Sequence, residues 1–253
     1  YQELAELFPE TVDYRHRLAI SRSHAALAVV SIDAKKRAES STADQLQSSG
    51  PVEIPGDAKL LLEAAISELW TLDSEHPDVP DYRYSLGHVL CRYGFVVATA
   101  GQTDLARELF GQSIDLWEPL AKAGHAESAD YLALLLATCP VSDMRNPEDA
   151  LSASKLAIAA SPNNLRYQIT HAVSLALNGE STAAEAAFQS IRSARGEWAP
   201  RDHWGLAIMA KLANTDGFAQ QLAQAETALQ SHPGCHRMLA FRGLLEQLDQ
   251  PAD

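Results

Sequence analysis

A chain of 253 residues, 46% of them hydrophobic, can bury a sizeable core, and this excludes wholesale disorder. The net charge of −13 argues against nucleic-acid binding, since the one basic run, Lys35-Lys36-Arg37, is short. No stretch reaches the roughly 18 apolar residues that a membrane helix needs. The three cysteines form no disulfide framework, which favours reduced thiols and a cytoplasmic location. Because the sequence opens at Tyr1 without methionine, we expect a piece of a longer protein.

The sequence repeats one pattern near its beginning. The stretch from Pro9 to Arg15 aligns with the stretch from Pro77 to Arg83, and each contains an acid after the proline and an Asp-Tyr-Arg triplet. Pro9 and Pro77 are 68 residues apart, which is twice 34. A period of 34 residues is that of the tetratricopeptide (TPR) repeat, a pair of antiparallel helices called A and B. Small residues recur at positions 8, 20 and 27 of such a repeat, where the two helices cross closely.

The first predicted hairpin has its A helix after Asp13 and its B helix marked by Ala58, Leu62 and Ala65. Residues 31–57 lie between the two helices and are polar, rich in serine and free of aromatic residues. A loop of this length and composition is usually disordered or functional, so residues 31–57 are predicted to form a flexible insertion.

Four further hairpins follow in the same phase. Their small residues are Gly94, Ala106 and Ser113 in the second, Ala133, Ala150 and Ala157 in the third, Ala172 and Ala184 in the fourth, and Ala207, Ala225 and Ala228 in the fifth. A last helix, from Cys235 to about Leu248, has Gly243 at position 8 and no B helix after it, which predicts a cap. No segment shows the period-two alternation of a strand.

These patterns predict an all-α fold, a TPR-like right-handed superhelix of about five hairpins with a C-terminal capping helix. Residues 1–248 are predicted to form one domain and residues 249–253 a disordered tail.

Four segments resemble TPR regions that follow bacterial serine/threonine kinase domains. They are Asp13 to Ala19, Leu132 to Pro140, Arg145 to Ala150 and Pro162 to Asn164. The resemblance implies an interaction region of a larger signalling protein. The sequence itself contains no Gly-rich kinase loop, no His-Arg-Asp and no Asp-Phe-Gly. We therefore predict that the chain is not an enzyme.

The concave groove of such a superhelix is lined by A helices, at positions 2, 5, 9 and 12. The residues predicted to bind a partner there are His88, Arg166, Arg201, Trp204, Lys211 and Arg237. The arginines would recognise acidic groups and Trp204 would anchor the partner. Alternatively, the arginines are solvated and Trp204 packs between hairpins. Most residues at positions 5 and 9 are apolar, which favours a hydrophobic peptide or another part of the chain as the occupant.

No cofactor or metal is predicted. His232, Cys235 and His236 form the densest group of potential ligands, but zinc usually needs a second such group, and a turn is the preferred interpretation. The sequence therefore favours a module that binds a partner protein or peptide. The alternative is a homodimer that buries apolar faces, with Trp70, Trp117 and Trp198 as candidates.

Overall fold

A computed structural model describes residues 1–8, 10–40, 53–195, 202–212, 218–231 and 236–248. Within these ranges every regular element is a helix, and none of the helices is long and apolar enough to cross a membrane. The chain divides into two compact units, Tyr1–Leu116 and Trp117–Asp253. The prediction that residues 1–248 form one domain stays a prediction.

The first unit consists of consecutive helices that pack against their neighbours in sequence. They are α1 (Gln2–Leu7), α2 (Val12–Ser40), α3 (Gly56–Glu75), α4 (Pro80–Thr99) and α5 (Thr103–Lys122), the last of which continues past the division at Leu116. Helix α2 packs against α3, α3 against α4, and α4 against α2. Between α4 and α5 the chain reverses at Gly101, whose φ of 78° is a conformation that glycine adopts at little cost.

Helix α2 corrects the predicted start of the insertion. It continues to Ser40, so the segment from residue 31 to residue 40 is helical rather than flexible. Six of its ten residues are alanine, lysine, arginine or glutamate, which favour helix, and Arg37 pairs with Asp33 one turn earlier at 2.6 Å. Residues 41–52 lie outside the described residues, and so does the predicted tail, 249–253.

The second unit continues the pattern of hairpins. Its helices are α6 (Ala126–Thr138), α7 (Pro147–Ala160), α8 (Leu165–Leu177), α9 (Ser181–Arg195), α10 (Asp202–Leu212), α11 (Phe218–Ser231) and α12 (His236–Leu248). Helices α6 and α7, α8 and α9, and α10 and α11 pack as pairs, which are the third, fourth and fifth predicted hairpins. Asn146 and Asn164 cap α7 and α8, each accepting a backbone N–H at 3.1 Å.

Small residues lie where the repeat frame places them. The predicted alanines at positions 8 and 20 of the second to fifth hairpins are buried, with at most 1% of their surface exposed. Gly94 shows the reason, because a Cβ atom at this position would lie 2.5 Å from Cε1 of Phe110 on the facing helix. The close crossing of A and B helices therefore confirms the all-α, TPR-like fold class.

Candidate functional site

Four A helices of the second unit pack in cyclic order. Helix α6 contacts α8, α8 contacts α10, α10 contacts α12, and α12 contacts α6 in turn. The C-terminal helix thus lies against the A helix of the third hairpin as well as against that of the fifth.

Positions 5 and 9 of these helices were predicted to face the groove. We define the A-helix face as the residues at these positions on α6, α8 and α10: Asp130, Leu134, Ile169, Val173, Trp204 and Ile208. None of them is more than 4% exposed. Ala240 and Leu244 hold the same positions on α12 and are buried too. The A-helix face is therefore covered in this structure, and α12 is the element that completes the cycle.

Helix α12 is amphipathic. Ala240, Phe241, Leu244 and Leu245 are buried, whereas Arg242 and Glu246 are exposed. Arg242 pairs with Glu246 at 3.0 Å and with Glu226 of α11 at 3.6 Å. Exposed pairs of this kind contribute roughly 1 kcal/mol or less, so apolar burial supplies most of the attraction that holds α12 in place.

One charged residue is buried in the A-helix face. Asp130 has no exposed surface, and its Oδ1 accepts a hydrogen bond of 2.7 Å from the hydroxyl of Thr170 on α8. Arg166, one turn before Thr170, places Nε 3.3 Å from the other carboxylate oxygen, as an ion pair without hydrogen-bond geometry. Burial of a carboxylate is costly unless it is paired, and α8 supplies these two partners of Asp130.

Aromatic rings hold Arg166 in this position. Its guanidinium carbon lies 5.6 Å from the ring centre of Tyr131 and 4.9 Å from that of Tyr167. Burial lowers the pKa of Arg166, but the charge of Asp130, with Tyr131 and Tyr167, raises it by more. Burial also raises the pKa of Tyr167. Arg166 thus stays charged, with 29% of its side chain exposed, at the edge of the A-helix face.

The other predicted partner-binding residues have different environments. Trp204 is fully buried, and its indole N–H makes no hydrogen bond within the described part of the chain. Lys211, on the same helix, is half-buried. His88 belongs to the first unit, where it is buried and stacked on Tyr84 at 5.9 Å. Arg201 and the side chain of Arg237 lie outside the described residues.

The structure brings Arg166 together with residues that the sequence prediction left out. Asp130, Thr170, Tyr131 and Tyr167 were not among the residues predicted to bind a partner. The sequence carries a weak signal for the first of these: Arg166 and Thr170 are one helical turn apart, so both can face a carboxylate on the next A helix.

The residues considered for metal binding remain outside this site. Residues 232–235 and the side chain of His236 lie outside the described residues. Among the side chains that the structure does describe, no group of three or more histidine, cysteine or acidic residues could hold a metal ion.

Two half-buried histidines predict how stability depends on pH. Burial is the main cause that lowers the pKa of His16 and His171, and Lys155 lowers that of His171 further. Such groups bind fewer protons in the folded than in the unfolded chain. Their contribution to stability is therefore full above the unfolded pKa of about 6.5 and is lost as the pH falls through the folded pKa, by about 1.4 kcal/mol per unit of pKa difference.

We expect the free energy of unfolding in urea to be steady between about pH 8 and 7 and to fall below about pH 6.5. His171→Gln removes one titrating group and can keep the 2.9 Å contact that His171 Nδ1 makes with the hydroxyl of Ser154. The fall should be smaller in this variant, because it lacks one of the histidines whose pKa is lowered in the folded chain. Equal falls in both proteins would show that His171 does not contribute.

Comparisons with known proteins give one structural likeness. No protein-family model and no curated protein sequence matches the chain. The crystal structure of a thermophilic TPR protein from Thermus thermophilus is similar, with 19% sequence identity and a TM-score of 0.48, over 75% of this chain and 93% of that chain. The TPR-like fold described above rests on the helical hairpins themselves.

Proposed function

We propose that this chain is a non-catalytic, TPR-like interaction module that binds a segment of a partner protein on its A-helix face. The observation that carries the proposal is that this face is apolar at five of its six positions, and that two of its three helices, α6 and α10, already pack against a further helix, α12. Stacked hairpins present such faces because each hairpin exposes its A helix on the same side. The carboxylate buried in this face, Asp130, pairs with Arg166 and Thr170, which supports a structural rather than a catalytic role.

Basic residues would add specificity around the apolar face. Arg166 lies at its edge, and we propose that Arg201, Lys211 and Arg237 attract acidic groups of the partner, while Trp204 anchors an apolar side chain. His88 would make the corresponding contact in the first unit. We also propose a place within a larger bacterial signalling protein in the cytoplasm, which the resemblance of Leu132 to Pro140 to kinase-linked repeats supports.

A charge-reversal experiment tests this function. The chain is immobilised and exposed to lysate of its source cells, beside a variant with Arg201→Glu and Lys211→Glu. The matched control carries Lys59→Glu and Lys122→Glu, two exposed lysines on B helices. We expect the wild type and the control to retain the same protein and the site variant to retain about tenfold less, since reversed charges repel acidic groups.

If all three proteins retain the same partner from the lysate, the partner binds elsewhere on the chain. If none of them retains a partner, the proposed function is wrong. Circular dichroism of each variant shows whether the helices are intact.

The second candidate function is self-association. The observation that favours it is Trp70, which is 45% exposed on α3 together with the exposed Leu60. Trp117 is fully buried, and Trp198 lies outside the described residues. A monomeric mass in light scattering over a wide range of concentration would exclude this alternative.

A further inference from the structure

We propose that α12 occupies the A-helix face as an internal ligand, and that the partner presents an amphipathic helix of the same pattern, which takes the place of α12. This inference rests on the proposed function and specifies the ligand.

The position of α12 supports this role. The A helices α6, α8 and α10 are each followed by a B helix that packs against them, whereas α12 is the last described element of the chain and has no such partner. It contacts α6 and α10 and touches α11 at its edge. Because no described B helix packs along α12 as one does along α6, α8 and α10, we expect α12 to open at a lower free energy than these three helices.

The sequence of α12 also keeps its helix weak. Gly243 lies in its middle, and a glycine inside a helix costs stability relative to alanine because it loses more conformational freedom. Packing does not require a glycine here, since a Cβ atom at Gly243 would meet no other atom within 4 Å. Gly94 is the contrast, because there the facing ring excludes any side chain. The weak helix at Gly243 therefore favours a docked segment that can be displaced.

The buried residues of α12 define the ligand that fits. Ala240 and Phe241, followed one turn later by Leu244 and Leu245, are buried, and Arg242 and Glu246 remain in solvent. A helix that lays an apolar stripe into a groove is a common mode of peptide recognition. The partner helix would thus carry a small residue and then large apolar residues in this spacing, with charged residues on its outer side.

Occupation by α12 has a measurable consequence. A ligand binds with an apparent affinity reduced by the fraction of molecules in which its site is open. Variants that weaken α12 should therefore bind a competing helix more tightly, and variants that strengthen α12 should bind it less.

The probe is a fluorescent peptide that copies residues 236–250, measured by anisotropy against the full chain. In Gly243→Pro, proline breaks α12 and leaves every residue of the A-helix face unchanged, and we expect the peptide to bind at least about tenfold tighter than to wild type. In Gly243→Ala, which strengthens α12, binding should be roughly two- to fivefold weaker. A control peptide with alanine in place of Phe241 and Leu244 should bind none of the three proteins.

Two outcomes overturn the inference. One is rapid amide exchange across residues 236–248 in Gly243→Pro without tighter binding of the peptide. If the circular dichroism of Gly243→Pro shows that the whole chain has unfolded, wild type is compared with Gly243→Ala instead. The other outcome against the inference is that the peptide binds these two proteins equally. If wild type and Gly243→Ala retain the same amount of a partner from lysate, α12 does not compete with that partner. The proposed function would then be supported, whereas this inference would fail.

Discussion

Arg166→Ala is expected to lower the free energy of unfolding by about 3 kcal/mol, because it removes the cation beside a carboxylate that has no exposure to water. Asp130 keeps the hydrogen bond from Thr170, but a buried charge loses more on desolvation than one neutral donor returns. Urea unfolding followed by tryptophan fluorescence and by circular dichroism measures the change.

Two controls separate the buried pair from an ordinary surface pair. Arg17→Ala breaks an exposed ion pair of 2.7 Å with Asp13 one turn earlier, and solvent screening should make its cost small. In the double variant Asp130→Ala, Arg166→Ala no charge is left buried, so its loss should be smaller than the sum of the two single losses. If Arg166→Ala costs no more than Arg17→Ala, Arg166 does not stabilise the fold and is available for recognition only.

The packing of Arg166 and Trp204 limits which substitutions can test partner binding. Both side chains are packed into the second unit, so Arg166→Ala or Trp204→Ala could reduce partner binding in two ways: by removing a contact with the partner or by destabilising the fold. Charge reversal at Arg201 and Lys211 avoids most of this difficulty, because the half-buried Lys211 is less deeply placed. The proposed recognition role is therefore best measured by charge reversal at Arg201 and Lys211.

The sequence predicted the hairpins because their phase depends on local packing. Two helices can cross closely only where both carry small residues, so glycine and alanine at fixed spacing mark every A and B helix. Gly101 and Gly179, with φ of 78° and 76°, mark two of the reversals in the same way. Helix α2 extends beyond its predicted end, because composition indicated a loop whereas helix propensity and the Asp33–Arg37 pair continued the helix.

The occupant of the A-helix face could not be predicted from the sequence. Apolar residues at positions 5 and 9 indicated that something covers them, but the return of α12 to α6 depends on the rotation between successive hairpins, summed over three of them. The burial of Asp130 has a similar origin, since its partners come from a helix about one repeat later in the sequence. Such contacts follow from the relative placement of hairpins, which residue spacing within one hairpin does not determine.

The second large effect is expected in the first unit, at the crossing of α4 and α5. Gly94→Ala places a methyl group against the buried ring of Phe110, where the unstrained distances would be 2.5 Å to Cε1 and 2.7 Å to Cδ1. Phe110 also packs edge-on against Phe95 at 5.2 Å, which limits its freedom to move aside. We expect a loss of about 2 kcal/mol in urea unfolding, since overpacking outweighs the better helix propensity of alanine.

The facing ring can be identified as the cause by shortening it. In a Phe110→Leu background, Gly94→Ala should cost less, because Cε1 and Cζ, two of the three ring atoms nearest to the methyl group, are gone. Gly111→Ala on the facing helix is the matched control: a Cβ atom there meets nothing within 4 Å, so the substitution should be neutral or stabilise by roughly 0.5–1 kcal/mol. Equal effects at Gly94 and Gly111 would mean that the two helices do not cross as closely as the repeat requires, and the phase of the hairpins would have to be assigned anew.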